Sequence, residues 1–590
     1  MATLDSLVEP REHWPHHMDF ILSCVGYAVG FGSIWRFPYL CYKNGGGAFL
    51  IPYIVFMTIC GVPLFFLELA IGQFSGASPL ALWDICPLFK GVGWGMIIIS
   101  GLVCIYYNII LTWVIYYLVL SFAARVPWDS CDNDFNTCNC TETRIEEHLR
   151  NLTEQLMPNF TWPANPRCNS STPLHVNYSQ TSSNEFWRYS VLKQSDGIDN
   201  LGSIHWGLLL SLIGAWLLIF ACLCKGVKSV GKVVYVTATS PYLFLAILMV
   251  RNCMLPGSWE GIRFYITPVW SKLANLEIWH EAALQVFFAL GPAWGGLITM
   301  SSFNKFKNNC YRDAIAVPIV NCLTSIFGGF VIFAVVGFMA HKTGKEVSDV
   351  VDKGPGLVFV AYPEAIAQMP VAPLWAILFF LMLITIGLDS QFGMFETMTS
   401  SFVDEFPRYL RKYKTPFVGL MCMLIVICYV YGIHRFRADI ELMLGYKPGH
   451  YWTVMWCGVT PLALVLILIS IAANFTNPVL ENYKFPPGSI AFGWLIGSIS
   501  IIIIPVVAVY RIYKVGKGSL LERIRYLLRP STDWGPPKDT LYNMRMGKLD
   551  NIVTSQTQPM LPIYPGSCSV PEGSATPGTS DVIIKDPIVD

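Results

Sequence analysis

The sequence predicts an all-α, polytopic membrane protein, and three observations carry that reading. The 590 residues are 54% hydrophobic and only 13% charged, whereas a soluble domain carries roughly 25% charged residues. Apolar runs of about 18 residues or more, the length a helix needs to cross a bilayer, recur at eleven places along the chain. Two of those runs, five apart, are interrupted at mid-membrane by Gly and Pro. A net charge of +1 gives no argument for a nucleic-acid partner. No cleavable signal peptide is expected, because polar residues 1–15 lead straight into a full-length apolar run.

The predicted spans fall near 18–41, 47–73, 92–123, 205–224, 233–250, 280–303, 314–340, 371–402, 416–433, 451–473 and 490–513. Lys225, Lys228 and Lys232 follow the fourth, Lys305, Lys307 and Arg312 the sixth, and Arg408, Arg411, Lys412 and Lys414 the eighth. The excess of Lys and Arg in cytoplasmic loops then sets even-numbered spans to end in the cytoplasm, with both termini cytoplasmic. The loop 125–202 is extracellular in that topology. It carries sequons at Asn139, Asn151, Asn159, Asn169 and Asn177, and Cys131, Cys138, Cys140 and Cys168. Glycosylation and a disulfide are expected there, Cys131 with Cys140 being the favoured pairing among the alternatives. Beyond Lys514, GSLLERIRYLLRP reads as a short amphipathic helix at the membrane surface, and from Ser555 the composition is that of disorder.

The first span contradicts a plain anchor. Gly26, Gly30, Gly32 and Ser33 crowd its centre, followed by Arg36 and Pro38. Gly inside a helix costs roughly 1 kcal/mol against Ala, and a cation at membrane depth roughly 2.5 to 3.5 kcal/mol on insertion scales. Irregular backbone at that depth is tolerated where it lines a cavity, so the break is read as carbonyls offered to an ion or solute. The sixth span repeats it with Gly291, Pro292, Gly295 and Gly296. Such a pair in opposite orientation is the sequence pointer to an inverted-repeat transporter with its site at the midplane. Asp389 and Ser390 in the eighth span, Asn321 and Ser325 on one face of the seventh, Tyr53 in the second, and Tyr106, Tyr107 and Asn108 in the third need partners at that depth. Hard oxygen ligands suit sodium; hydroxyl and amide donors without a carboxylate suit an anion.

At these residues the chain resembles the neurotransmitter:sodium symporters, through REHW at Arg11, GYAVGFGSIWRFPY, NGGGAF at Asn44, PLFFLE at Pro63, KGVKSVGKVVY at Lys225, GLDSQF at Gly387 and WGP at Trp534. The resemblance implies a five-plus-five inverted repeat: a cytoplasmic segment with an inner-gate motif (1–17), repeats 18–250 and 251–433, two last spans (434–513) and a tail (514–590). It implies one sodium among Gly26, Val29, Ile386, Asp389 and Ser390, and another at Ala28, Ser33, Ala289 and Asn321 with the substrate carboxylate. Chloride is expected at Tyr53, Gln285, Asn321 and Ser325, and substrate at Ala28, Gly30, Gly32, Val103, Tyr107, Phe288, Gly291, Trp294 and Ser390. Arg11 and Trp14 with Asp404 would form the inner gate, and Arg36, Tyr107 and Phe288 the outer one. Amine transporters of the family carry Asp where this chain has Gly30, so an amino acid is the expected substrate. Trp294 and its flanking sequence favour glycine, with proline as the alternative. No enzymatic chemistry, cofactor or metal site beyond the coupling ions is expected; the partners are the bilayer, the small amino acid and, in a homo-oligomer, a second copy.

The chain departs from the family pattern at Ser33, usually Asn, at Ala289, usually Ser or Thr, and at Phe303, usually Tyr. A larger departure lies at 416–433, where the beginning of the ninth span runs directly into the end of the tenth, about 35 residues short of the pattern. That leaves eleven spans where the family has twelve, removes the acid expected to meet Arg36, and puts basic residues at both ends of the fused segment. The Asn474 sequon favours keeping the original topology. A transport-inactive member that associates with an intact copy and regulates it is therefore the competing expectation.

Overall fold

Backbone in lipid has no water to bond to, so each uninterrupted apolar run closes its hydrogen bonds internally as a helix. The computed structural model describes residues 13–137, 140–141, 180–194, 205–223, 227–344, 346–347, 357–405, 450–455, 459–460, 462, 479–480, 483–484, 487–516, 518–531 and 534, all within the unit Met1–Pro537. Its principal helices are α1 (His17–Ala28), α2 (Phe37–Lys43), α3 (Leu50–Phe56), α4 (Val62–Ser75), α5 (Lys90–Ser121), α6 (Trp206–Leu223), α7 (Val227–Thr237) and α8 (Ser240–Cys253). They continue as α9 (Ser258–Ile266), α10 (Leu276–Leu290), α11 (Gly296–Ser302), α12 (Cys310–Thr343), α13 (Tyr362–Ala367), α14 (Ala372–Glu405), α15 (Pro487–Val515) and α16 (Leu520–Leu527).

Among the described residues, six helical stretches are long and apolar enough to cross a membrane, and the bent pair His17–Ala28 with Gly32–Lys43 makes a seventh. The fused segment 416–433 and most of 451–473 lie outside the described residues, as do the five sequon asparagines. On the loop after α5, the structure joins Cys131 to Cys140 in a disulfide, Cα atoms 5.8 Å apart.

Both predicted breaks are present. α1 stops at Ala28, Val29 leaves helical geometry at φ −89 and ψ 84, and the chain resumes as a wide π turn over Gly32–Arg36 that runs into α2. The two halves are bent by 48°. Pro38 stands at the start of α2, where its missing N–H costs least. The second break uses left-handed backbone: Gly291, Ala293 and Gly295 all take that region, at φ +56, +62 and +79. Glycine does this at little cost, while Ala293 pays about 1 to 2 kcal/mol. A carboxylate offsets it, since Ala293 N–H donates to Glu68 of α4, whose side chain is fully buried. Around the breaks, α1 packs on α7, α12 and α14, while α14 runs along α5, so the irregular backbone is enclosed by regular helices.

Candidate functional site

A pocket opens between the two breaks, lined by Tyr27, Ala28, Gly30, Gly32, Tyr107, Phe288, Ala289, Gly291, Trp294, Ser390 and Met394. The first break supplies a donor to its wall: Phe31 N–H bonds Tyr107 Oη at 3.1 Å, and the two rings stack at 4.8 Å. A Cβ at Gly30 would stand 2.8 Å from both Tyr107 Oη and Ser390 Oγ, so glycine there is what lets both hydroxyls reach the backbone. At the second break Tyr27 Oη donates to the Gly291 carbonyl at 3.2 Å. Trp294 meets Phe288 edge-on at 5.8 Å, and its carbonyl is held by Ser100 Oγ at 3.0 Å. The space left is small, with bulky rings on one wall and bare backbone on the other.

One side of α1 faces a carboxylate. Gly26, Val29, Ile386 and Asp389 line a cavity with Thr237, Tyr242 and Thr324, and no Lys, Arg or His is among its walls. Asp389, buried, accepts from the Thr237 hydroxyl. It lies so near the α1 backbone that a Cβ on Gly26 would be 2.5 Å from its Oδ2. Ser390 Oγ sits 3.2 Å from the Gly26 carbonyl and 3.4 Å from that of Tyr27, donating to them. A buried carboxylate beside freed carbonyls, with no cationic side chain to meet it, fits a small hard cation.

The other side of the break is neutral. Ser33 Oγ donates to Asn321 Oδ1 at 2.9 Å, and Gln285 Nε2 donates to the Gly32 carbonyl at 2.8 Å. Tyr53 and Ser325 face one another, but Tyr53 Oη, Asn321 Nδ2 and Ser325 Oγ make no hydrogen bond of ordinary length, although all three residues are 0% exposed. Each such orphan costs about 1 to 3 kcal/mol, and three donors with no carboxylate among them fit an anion. Gln285 Oε1 is the orphaned acceptor of the group. Ala289, with no side-chain oxygen, can offer only its backbone.

The two ends of the first broken span are held differently. Before α1, Trp14 donates its indole N–H to the Met300 carbonyl at 2.8 Å and its backbone N–H to that of Phe303 at 3.1 Å, and it is buried. Beyond the break, the Arg36 guanidinium sits 4.5 Å over the Phe288 ring, which is 42% exposed, and forms no ion pair with a described residue. Above it, Lys43 Nζ bonds Glu277 Oε1 at 2.8 Å and Glu281 Oε1 at 2.5 Å, and Asn44 Nδ2 reaches Glu281 Oε2 at 2.5 Å. The C-terminal end of α2 and the N-terminal end of α10, one from each broken span, are thereby clamped. The Lys43 hydrogen bond and charge hold the Glu277 carboxyl below its usual range.

A family model described as "Sodium:neurotransmitter symporter family" matches residues 11–427 and 417–515. The chain belongs to that family. It is 42% identical to "Sodium- and chloride-dependent glycine transporter 2" of Xenopus laevis, over 89% of this chain and 72% of that one. It is 40% identical to "Sodium- and chloride-dependent glycine transporter 1" of Xenopus laevis, over 93% and 91%. It is 41% identical to "Sodium- and chloride-dependent neutral and basic amino acid transporter B(0+)" of Homo sapiens, over 90% of each. This symporter is thus a multi-pass membrane transporter rather than an enzyme.

The structure brings nearly all of the sequence-predicted symporter residues to the two breaks. Val103 is the exception in the pocket: it is buried on α5, one turn from Tyr107, but is not among the lining residues. Arg11 lies outside the described residues, and of Asp404 only the backbone, on α14, is described. Ser33 is brought to the neutral side, but its hydroxyl is spent on Asn321. Sequence reasoning missed Tyr27, Met394, Thr237 and Glu68. The last two had a legible signal: a hydroxyl pair in the fifth span and a carboxylate inside PLFFLE, both at a depth where a polar group requires a partner.

Proposed function

We propose that the chain carries out sodium- and chloride-coupled uptake of glycine by alternating access, with both termini in the cytoplasm. The observation that carries the substrate is Gly30 between Tyr107 and Ser390: bare backbone brings two hydroxyls to the pocket wall where a carboxylate can meet them, and no acid lines the pocket to meet an amine. Trp294 and Phe288 leave little space for a side chain, and two of the relatives are named for glycine. Proline is disfavoured by the same rings, though a pocket that discriminates by methylenes gains only about 1 to 3 kcal/mol for each. One sodium is bound by Asp389, Ser390 and the Gly26 and Val29 carbonyls. The other meets Ala28, Asn321 and the substrate carboxylate, beside a chloride held by Tyr53, Asn321 and Ser325. Ion and substrate bind together because each supplies charge that the other's site lacks.

A second reading is favoured by the shortened ninth and tenth spans: a transport-inactive member that associates with an intact copy. The alignments to the relatives run over 572 and 589 positions while using 89% and 93% of this chain, as an internal gap requires. The two family matches also overlap at 417–427, inside the fused segment. Sodium-dependent uptake of labelled glycine decides between them, measured in cells expressing this chain and a version with the missing segment restored. Uptake by both supports a working transporter. Uptake by the restored version alone moves this chain to the inactive reading, and uptake of proline but not glycine overturns the substrate.

A further inference from the structure

We propose that the concavity between the end of α15 and α16 binds the phosphate-bearing headgroup of an anionic phospholipid. Arg511 and Lys514 line it from the last turns of α15, and Arg523 and Arg529 from α16 and just beyond. Two carboxylates share the wall, Asp84 and Glu522, and both are engaged. Asp84 Oδ1 accepts from Lys90 Nζ at 3.2 Å. Glu522 Oε2 accepts from Ser519 N–H at 2.8 Å as half of the capping box that starts α16. Lys514, Arg523 and Arg529 form no ion pair with any described residue, so the concavity carries uncompensated positive charge. Arg523 is preset: its Nε and Nη2 hold the Gly518 and Gly516 carbonyls at 3.0 and 3.2 Å, and a guanidinium has five N–H donors, so three remain to face a phosphate.

The setting selects a lipid over a soluble anion. α16 is fastened to the segment between α4 and α5, where Cys86 Sγ reaches the Leu527 carbonyl at 3.6 Å and Ser531 N–H the Asp84 carbonyl at 2.8 Å. With that side fixed, Leu520, Leu521 and Tyr526 remain 65 to 68% exposed, directly after α15, the helix that carries the last span expected from the sequence. A helix that presents cations beside exposed Leu and Tyr lies in the bilayer interface, and cations at that depth attract acidic headgroups. A soluble phosphate would occupy the cations and leave those apolar side chains in water.

The test uses the full chain purified in a neutral detergent and requires no transport activity. Binding of dioctanoyl phosphatidylinositol bisphosphate is compared with dioctanoyl phosphatidylcholine and with inorganic phosphate. The inositol lipid binds saturably, phosphatidylcholine does not, and phosphate binds far more weakly. Lys514→Gln with Arg529→Gln weakens the lipid roughly tenfold or more, each cation near an acidic surface being worth about a few-fold. Arg525→Gln, on α16 outside the concavity, leaves it unchanged, and single Lys514→Gln serves if the double variant melts below the parent. Equal binding of phosphatidylcholine or of phosphate overturns the lipid assignment, and equal damage from Arg525→Gln overturns the site.

Discussion

The two flanks of the first broken helix share a backbone but not a chemistry. On the Asp389 flank a carboxylate is fixed by Thr237 against bare Gly26 backbone, so the negative charge a cation needs is built in. On the Asn321 flank no carboxylate is present; Ser33 occupies the amide oxygen and three buried donors go unanswered. On the proposed ion assignment, one break serves a cation that arrives alone and a cation that must arrive with anions. In this reading the second flank borrows its charge from the solute and from chloride, which is coupling in physical terms.

Asp389→Asn is the harshest way to break the contrast. Removing the fixed charge costs on the order of 3 kcal/mol at a charge-assisted site, roughly a hundredfold in sodium affinity. Sodium-dependent thermal stabilisation of the purified chain, read against choline, is expected to move to much higher sodium concentration. An unaltered sodium titration would remove Asp389 from the cation site. A milder change sharpens the second flank. Ser33→Asn with Ala289→Ser adds two side-chain oxygens where the chain has spent or lost them, and is expected to lower the sodium concentration for half-maximal stabilisation several-fold when glycine is present. Ion dependence identical to the parent would mean that backbone carbonyls already complete the site.

The smallest effect is expected at the clamp between α2 and α10, where Lys43 and Glu277 are 41% and 54% exposed, and exposed pairs contribute about 0 to 1 kcal/mol. Glu277 has its carboxyl lowered by Lys43. Its contribution is therefore full above the ordinary carboxylate range and is lost as pH falls through its lowered value. Glu277→Gln should remove a shallow acid-side loss of stability, seen by comparing melting midpoints of parent and variant between neutral pH and about pH 3. Identical profiles would assign the clamp no role.

The spans, the two breaks and most pocket residues were legible because membrane depth makes polar groups and glycines conspicuous. Gly30, Asp389, Asn321 and Ser325 stood out for that reason. What each polar group bonds to was not legible. Nothing in the spacing says that Ser33 would turn to Asn321, or that Glu68 on α4 would hold the strained Ala293 N–H between α10 and α11. The clamp was hidden too, since Lys43, Glu277 and Glu281 look like ordinary charges at span ends until the halves of two spans stand side by side. Val103 shares a helix face with Tyr107 one turn away, yet is not among the residues lining the pocket.

The account rests on the Asn321 flank taking an anion, and the most direct measurement is the chloride dependence of stability in constant sodium. Saturating a site stabilises by about 2.7 kcal/mol at a hundred times its dissociation constant, so replacing chloride by gluconate should lower the melting midpoint of the parent. Ser325→Asp, which sets a fixed carboxylate among the orphaned donors, should melt at the same temperature in both salts. A parent indifferent to chloride, or a Ser325→Asp variant still stabilised by it as much as the parent, would contradict the account.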